Sequence, residues 1–564
     1  MAEAYETGAA GRDELVFLPL GGVGEIGMNC YLYGLGPTDD RQWLMVDLGI
    51  TFPEGENDPG VDVILPDLRF IEDQRGLVGI VLTHAHEDHF GAVVELWPRL
   101  NVPIYATPFT VALLRAKLSE YGGAKLDIRE VPLDSRFEVG PFSLELISVA
   151  HSIPESNALA IRTRRGLVLH SGDWKIDPTP MIGIPADTPR FAALGEEGVT
   201  ALVCDSTNAL REGRSPSEKD VAESLARIIK DAKRRVVVTI FASNVARLRA
   251  VADAARHAGR HLVVAGRAMH RMIEVAMETG YLPPQFKYLD QNQFSYLEPH
   301  DVVALCTGSQ GEPRAALARV AAGEHPAIKL SRGDLVIFSS RTIPGNERPV
   351  GAIQNKLVDM GCELITDGDA LVHVTGHPRR DELKDMYSWV RPRIAIPMHG
   401  EARHLAQHAK LARSAGVPEV VSPRNGDIVR LAPGAAKIID EAPAGRIFRD
   451  GFLLVPSEAG PVRERRSLAY AGVVVVALPQ SARDGIVPDP EVVLDGVPAE
   501  NANGKPMLDI VRDAVDGAIA SIPRKRQQDR EMVREAVRRA VRAAVDQAWG
   551  KRPIVKVIIT RAVR

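Results

Sequence analysis

Cysteine is scarce: four residues in 564, at Cys30, Cys204, Cys306 and Cys362, with no C-x-x-C pair among them. That scatter excludes a disulfide framework and a thiolate zinc knuckle, and it fits a reducing, cytoplasmic setting. Most of the four lie in apolar, strand-like runs such as Ala201-Leu202-Val203-Cys204 and read as small buried hydrophobes. Long apolar runs are also missing. A stretch such as 471–479 falls far short of the ~20 residues that span a bilayer, and the first residues are acidic and polar, so neither a transmembrane helix nor a signal peptide is expected. Aromatics make up only 5% of the chain, but 45% hydrophobic and 25% charged residues are ordinary for a globular protein and exclude disordered or collagen-like classes. With 69 basic against 73 acidic side chains there is no global positive field, so a nucleic-acid partner would have to be held locally.

At ~150 residues per domain the length implies two to four domains. Strand-like runs at 15–20, 43–47, 79–83, 142–149, 159–163 and 166–169 alternate with turns and a few helical stretches, which predicts layered α/β structure. Between 217 and 265 the rhythm becomes regular: helix at 217–232, strand at 235–241, helix at 244–257, strand at 261–265. This predicts an inserted parallel α/β unit reaching to about Phe338. Strand-like runs resume at 371–375 and 393–397, and a Pro-, Gly- and charge-dense linker leads to a separate C-terminal domain.

In that last domain 470–477 and 554–560 read as strands and 529–548 as a helix. Met532, Val533, Ala536, Val537, Ala540, Val541, Ala544 and Val545 form one apolar face of the helix, while Arg530, Arg534, Arg538 and Arg542 line another. From 461 onward 19 basic residues face 13 acidic ones, against 50 and 60 in the remainder, so positive charge is segregated to the C-terminus. A solvated helix face accounts for the Arg stripe by default, with RNA or partner binding as the alternative.

The chemistry is concentrated in His84-Ala85-His86-Glu87-Asp88-His89, directly after the run 79–83. A strand ending in a tight loop can aim His84 and His86 at one point, while Asp88 and His89 at the start of the next segment turn toward a second point nearby. Two adjacent metal ions are the natural occupants. Imidazole and carboxylate donors without cysteine suit zinc, with manganese or magnesium as alternatives. Further donors stand at other apparent strand ends: His151 after 146–150, Asp173 after 168–172, and His399 after 394–398. Each alone would be unremarkable as a hydrogen-bonded structural residue; the joint arrangement is what carries weight.

The order H-x-H-x-D-H, then Ala150-His151-Ser152, then Ser171-Gly172-Asp173 resembles the metallo-β-lactamase fold of binuclear hydrolases. The downstream motifs resemble the beta-CASP nucleases, and among them the bacterial ribonuclease J family. These are Asp205 in Val203-Cys204-Asp205-Ser206-Thr207-Asn208, His377 in His373-Val374-Thr375-Gly376-His377, and His399 in Pro397-Met398-His399-Gly400-Glu401. The segments 20–25, 307–313 and 341–346 extend the likeness over nearly the whole chain. Neither 21–24 nor 307–311 has the context of a dinucleotide fingerprint or a P-loop, so no nucleotide cofactor is expected.

The resemblance implies a four-layer αββα metallo-β-lactamase core (1–205 and 369–445), an inserted beta-CASP α/β domain (206–368), a linker (446–466) and a small C-terminal α+β domain (467–564). It implies one metal on His84, His86 and His151, a second on Asp88, His89 and His399, Asp173 bridging, and Asp205 orienting the ligands. His377 would protonate the departing sugar oxygen, and Ser243, Asn244, His373, Thr375, Gly376 and His377 would hold substrate, including a 5′-phosphate. His399, where DNA-directed members typically have valine, points to RNA. The expected activity is hydrolysis leaving 5′-phosphate products, by 5′-to-3′ exonuclease action favouring 5′-monophosphate ends and by endonuclease action, in rRNA processing and mRNA decay. A homodimer or homotetramer through the C-terminal domain is expected, with RNA-degradation enzymes as partners. The rival readings are a DNA-directed relative, a small-molecule hydrolase of the same fold, and an inactive scaffold subunit, whose signature would be missing ligands; all seven positions are filled.

Overall fold

The computed structural model describes residues 13–561 apart from 54, 75, 121, 123–124, 459, 482–484 and 487–489. The described chain divides into two compact units, one made of residues up to 51 with 64–447, the other of 52–63 with 448 onward.

The first unit contains two large sheets stacked face to face. One has eight strands in the order Lys437–Glu441, Asp427–Ala432, Glu14–Gly21, Cys30–Gly36, Gln42–Val46, Leu77–Val81, Ile104–Ala106 and Ile128–Glu130. The other has seven, in the order Glu419–Val420, Ile394–Met398, Val199–Asp205, Gly166–His170, Asn157–Thr163, Phe142–Ser148 and Arg136–Val139. Alternating side chains of both sheets, among them Phe17, Tyr33, Val46, Leu144, Val168 and Ile396, interdigitate in one core between them. The opposite face of the seven-stranded sheet is covered by the helices Thr188–Glu197, Arg380–Val390 and Ala402–Ser414 through Leu169, Phe191, Leu202 and Leu383. These are three of the four layers of the expected αββα core.

Strands Val199–Asp205 and Ile394–Met398 are parallel neighbours, Ala201 opposite Ile394 and Asp205 opposite Met398. The intervening chain makes a six-stranded sheet of its own, whose pairings are all parallel, in the order Leu289–Asp290, His261–Ala265, Val302–Cys306, Val236–Thr239, Leu335–Phe338 and Glu363–Ile365. Its four central strands are mostly buried Val, Leu and Ile, as a sheet covered on both faces requires. The insertion thus leaves and re-enters the core at adjacent strand ends.

In the second unit, Val473–Ser481 pairs with Glu491–Asp495 and, in parallel, with Ile554–Arg561. Helices Met507–Ala520 and Arg530–Trp549 pack Val511, Val515, Val533, Val537, Val541 and Val545 against that sheet. Met532 is exposed, so the apolar face of the last helix is narrower than its sequence suggests. Arg538 pairs with Glu535, and Arg530 donates to Gln480 Oε1 at 2.8 Å.

Three local readings change. Residues 371–375 are irregular rather than a strand, because their polar groups bond to the site and to the inserted sheet, as described below. Tyr470 ends a helix, Gly460–Ala471, and the strand starts at Val473 after Gly472, whose φ of +67° breaks the helix. The stretch 446–466 is not loop: it carries strands Arg446–Asp450 and Leu453–Pro456 and the start of that helix, and its charges are paired, Arg465 with Asp450 at 2.6 Å and Arg466 with Asp58 at 3.1 Å. All four cysteines are buried and free. Among the described residues no helix is long and apolar enough to cross a membrane.

One ion-pair lattice fixes the edge of the seven-stranded sheet to its covering helix. Glu145 accepts a two-pronged contact from Arg190 at 2.6 and 2.7 Å and pairs with Arg162 at 2.8 Å. Burial works to raise the Glu145 pKa, but the two guanidinium groups override it and hold the carboxyl down at about 2. A depressed carboxyl pKa adds stability above the unfolded-state value and loses it as pH falls through the folded one. The stability difference between the parent and Glu145→Gln should therefore hold from neutrality to about pH 5 and shrink between about pH 4.5 and 2, read as urea midpoints at each pH.

Candidate metal centre

The donors sit where the geometry of parallel sheets puts ligands, at the carboxyl ends of strands. Asp173, Asp205 and His399 follow or end the neighbouring strands Gly166–His170, Val199–Asp205 and Ile394–Met398. From the facing sheet, Asp47 follows Gln42–Val46 and His84 follows Leu77–Val81, again parallel neighbours. His86 precedes a one-turn helix, Glu87–Phe90, that carries Asp88 and His89. Two loop residues hold left-handed backbone conformations, Asp47 at φ +62° and His399 at φ +49°. Such conformations cost on the order of 1–3 kcal/mol and persist only where surrounding bonds enforce them.

Three sets of donor atoms converge, each within 4.8 Å: His84, His86, His151 and Asp173; Asp88, His89, Asp173 and His399; and Asp173, Asp205, His377 and His399. All seven positions expected to bind metal are in the first two sets, and Asp173 is common to all three. His86 Nδ1 lies 3.1 Å from His84 Nε2 and 3.0 Å from His151 Nε2. A zinc-sized ion in a tetrahedron of nitrogens holds them about 3.3 Å apart, so this triad fits one. In the second set His89 Nε2 is 3.2 Å from Asp173 Oδ2, and His399 Nε2 is 3.3 Å from Asp88 Oδ2.

The electrostatics also fit cations. Burial first, then repulsion from neighbouring imidazoles, drives the pKa of His84 and His151 far down; burial likewise brings His86 to about 4. These rings are neutral donors. Burial opposes charge on His89 and His399 too, but Asp173 and the adjacent carboxylates outweigh it; His89 rises to about 10 and His399 well above its ordinary value. Among the described residues Asp47, Asp88, Asp173 and Asp205 pair with histidine and not with lysine or arginine. Nε2 of His399 is buried and makes no well-formed hydrogen bond, its near neighbour being Asp88 Oδ2 at 3.3 Å, as suits a donor set that awaits a cation.

Four of the five ligand rings have a close contact at the other ring nitrogen, as metal-ligating imidazoles require. His89 Nδ1 faces Asp47 Oδ2 at 2.7 Å, His84 Nδ1 faces Thr83 Oγ1 at 3.0 Å, His151 Nδ1 donates to the Gly376 carbonyl at 2.6 Å, and His399 Nδ1 stands 2.9 Å from Asp173 Oδ1 and 3.3 Å from Thr207 Oγ1. Asp47 in turn accepts from the Thr83 backbone and hydroxyl at 2.8 and 2.9 Å. Asp205 Oδ2 lies 2.8 Å from His377 Nδ1. Burial opposes protonation of His377, but Asp205 and Asp173 together raise its pKa.

The expected substrate residues divide. His373, Thr375, Gly376 and His377 run along the rim of the site, but Thr375 Oγ1 accepts from Asn208 at 2.8 Å and the Gly376 carbonyl is committed to His151. His373 Nδ1 is buried without a partner, and burial, then Arg247, Arg341 and Lys175, push its pKa to about 3. Asn244 caps the helix Val245–His257, accepting from Arg247 N at 2.8 Å, with half-buried Ser243 just before it. Asp47, Asn29 and Thr207 were missed. Asn29 Nδ2 lies 2.9 Å from His89 Nε2. The available signal for Asp47 was an acid closing an apolar strand two residues before Gly49.

Fold and site together define a metallo-hydrolase of the metallo-β-lactamase type with a beta-CASP insertion. Family models match as "Beta-lactamase superfamily domain" over 57–191, "Ribonuclease J, beta-CASP domain" over 233–357, "Zn-dependent metallo-hydrolase RNA specificity domain" over 369–423 and "Ribonuclease J C-terminal domain" over 460–562. Ribonuclease J of Sinorhizobium meliloti is 53% identical over 97% of this chain and 98% of its own. Ribonuclease J of Corynebacterium glutamicum is 38% identical over 95% of this chain and 74% of its own, and that of Mycolicibacterium smegmatis 44% over 77% and 78%. The chain belongs to the ribonuclease J family and is a metal-dependent ribonuclease. A crystal structure of a protein of unknown function from Enterococcus faecalis shares the fold, at 15% identity and a TM-score of 0.50 over 74% of this chain and 100% of its own.

Replacing Asp47 by Asn keeps the shape behind His89 but removes the charge that holds its ring. Divalent-metal affinity should fall about 10- to 100-fold, measured by competition with a chromogenic chelator.

Proposed function

We propose that the protein hydrolyses RNA phosphodiesters to leave 5′-phosphate products, acting both as a 5′-to-3′ exonuclease that favours 5′-monophosphate ends and as an endonuclease, in rRNA processing and mRNA decay. The observation that carries this reading is the sharing of Asp173 by two donor sets with the His377–Asp205 pair immediately beside them. His84, His86 and His151 would hold one divalent ion, Asp88, His89 and His399 a second, and Asp173 both; zinc suits the donors best. The chemistry that bound divalent ions supply is a lowered water pKa and neutralised phosphate charge during in-line displacement.

The chain's own side chains do the rest. Asp205 orients His377 through Nδ1 and favours its protonated form, so His377 can give a proton to the departing sugar oxygen. Neutral His373, near the positive charge of Arg341, would take part in holding a terminal phosphate, and Ser243, Asn244, Thr375 and Gly376 would complete the substrate surface. In-line attack by water does not use the 2′-hydroxyl, so preference for RNA comes from other contacts, and His399, where DNA-directed relatives typically have valine, points to RNA. We place the domain limits at 1–205 with 369–445, 206–368, 446–466 and 467–564. The last domain makes a homodimer or homotetramer, and the enzyme works in the cytoplasm with other RNA-degradation enzymes.

Purified protein incubated with 5′-monophosphorylated, 5′-triphosphorylated and 5′-hydroxyl RNAs and matching DNA, under zinc, manganese or magnesium, should degrade the monophosphorylated RNA fastest and from its 5′ end. Equal degradation of DNA would refute the RNA assignment. Chelation should abolish the activity and added divalent ion restore it. His377→Ala should lower kcat about 10²- to 10⁴-fold at unchanged metal content; loss of metal instead would make His377 a ligand.

A further inference from the structure

The segment 372–377 has no strand or helix to hold it, yet it supplies the carbonyl behind His151 and the His377 ring. Its far end is tied to the stretch just after Asp205, where the His377 carbonyl accepts from Asn208 Nδ2 at 3.3 Å and Ser215 Oγ at 3.2 Å. Its near end is tied to the inserted domain. The Val372 carbonyl accepts from Arg247 Nη1 at 2.8 Å and from Ser339 Oγ at 2.6 Å.

Arg247 lies on the helix Val245–His257 and is completely buried. Its Nη1 also donates to Ser339 Oγ at 2.7 Å and to the Ser339 carbonyl at 3.1 Å, while Nη2 and Nε reach Glu218 Oε2 at 2.9 and 3.3 Å. Glu218 opens the next helix back, and its backbone N–H donates to Asp177 Oδ2 at 2.9 Å. Asp177 pairs with buried Lys175 at 3.1 Å, and Lys175 N donates at 2.8 Å to the carbonyl of Ala150, the residue before His151. A continuous polar chain therefore runs from the inserted sheet to both sides of His151.

A buried ion pair is weak evidence of stabilisation, since apolar side chains of the same volume serve as well. What a guanidinium offers here is a rigid fork that meets a carboxylate on one edge and two oxygens on the other, and a lysine ammonium cannot span both. We propose that Arg247 is a positioning residue for phosphodiester hydrolysis: from within the inserted domain it fixes Val372, and through it the placement of the His377 ring against Asp205 and the site. Only phosphodiester hydrolysis itself is needed to test this; preference for a 5′-phosphate does not enter.

The full-length parent is compared with Arg247→Lys and Ser339→Ala, the second retaining the buried charge pair and removing one hydroxyl from Val372. Steady-state cleavage of a labelled RNA, bound metal and melting temperature are measured on each. Arg247→Lys should lower kcat about 10- to 100-fold and Ser339→Ala by a smaller factor, with KM within about twofold and metal content and melting temperature at parent values. Should Arg247→Lys not fold, Ser339→Ala decides. A kcat within about twofold of the parent in the folded variants, or a loss that merely follows falling melting temperature or metal content, overturns the proposal.

Discussion

A single buried carboxylate organises the molecule. Asp173 belongs to every donor set in the site, so its two oxygens must lie where groups from both sheets arrive together. Three neighbouring parallel strands of one sheet end there, and two parallel strands of the other end opposite them, which is why a site built from residues more than 300 positions apart is compact. Local backbone is bent to serve the same point. His399 and Asp47 accept left-handed conformations, and the Gly49 backbone passes so close to Asp88 that a Cβ would stand 1.7 Å from its carbonyl oxygen.

The inserted domain leaves this arrangement undisturbed because it enters and leaves beside it. Asp205 and Met398 face each other across one strand pair, so the residues between them can form an independent parallel sheet without separating Asp205 from His399. The chain returns through 372–377, whose irregular backbone gives up strand pairing to offer its carbonyls to Arg247, Ser339 and His151. Insertion and site are thereby joined by specific hydrogen bonds and by sequence continuity.

Much of this was legible because ligands cluster at strand ends and strands announce themselves by apolar runs. His84 through His89, His151, Asp173 and His399 were each found by that route, and the alternation beyond 217 revealed the inserted sheet. Residues that act from behind the ligands were less legible. Asp47 binds its ring through a contact 42 positions away, and Thr207 reaches His399 across 192, so no local pattern marks them. The run 371–375 misled because Leu371, Val372 and Val374 have strand-like composition, while its polar groups are claimed by side chains that only the tertiary fold brings near. The segment 446–466 misled for another reason: its Pro, Gly and charge content reads as a linker, but Arg465 and Arg466 are engaged with Asp450 and Asp58.

Charge explains why these donors demand ions. Four carboxylates stand within a site whose first three imidazoles are held neutral by burial, and among the described residues neither lysine nor arginine balances them. Histidine protonation can compensate only part of that charge, since His89, His377 and His399 lie close together and repel one another once charged. Divalent cations remove the conflict, because they satisfy carboxylates and neutral imidazoles at once and return the remaining rings to orientation and proton transfer. Metal binding and the final setting of this core are therefore parts of one equilibrium.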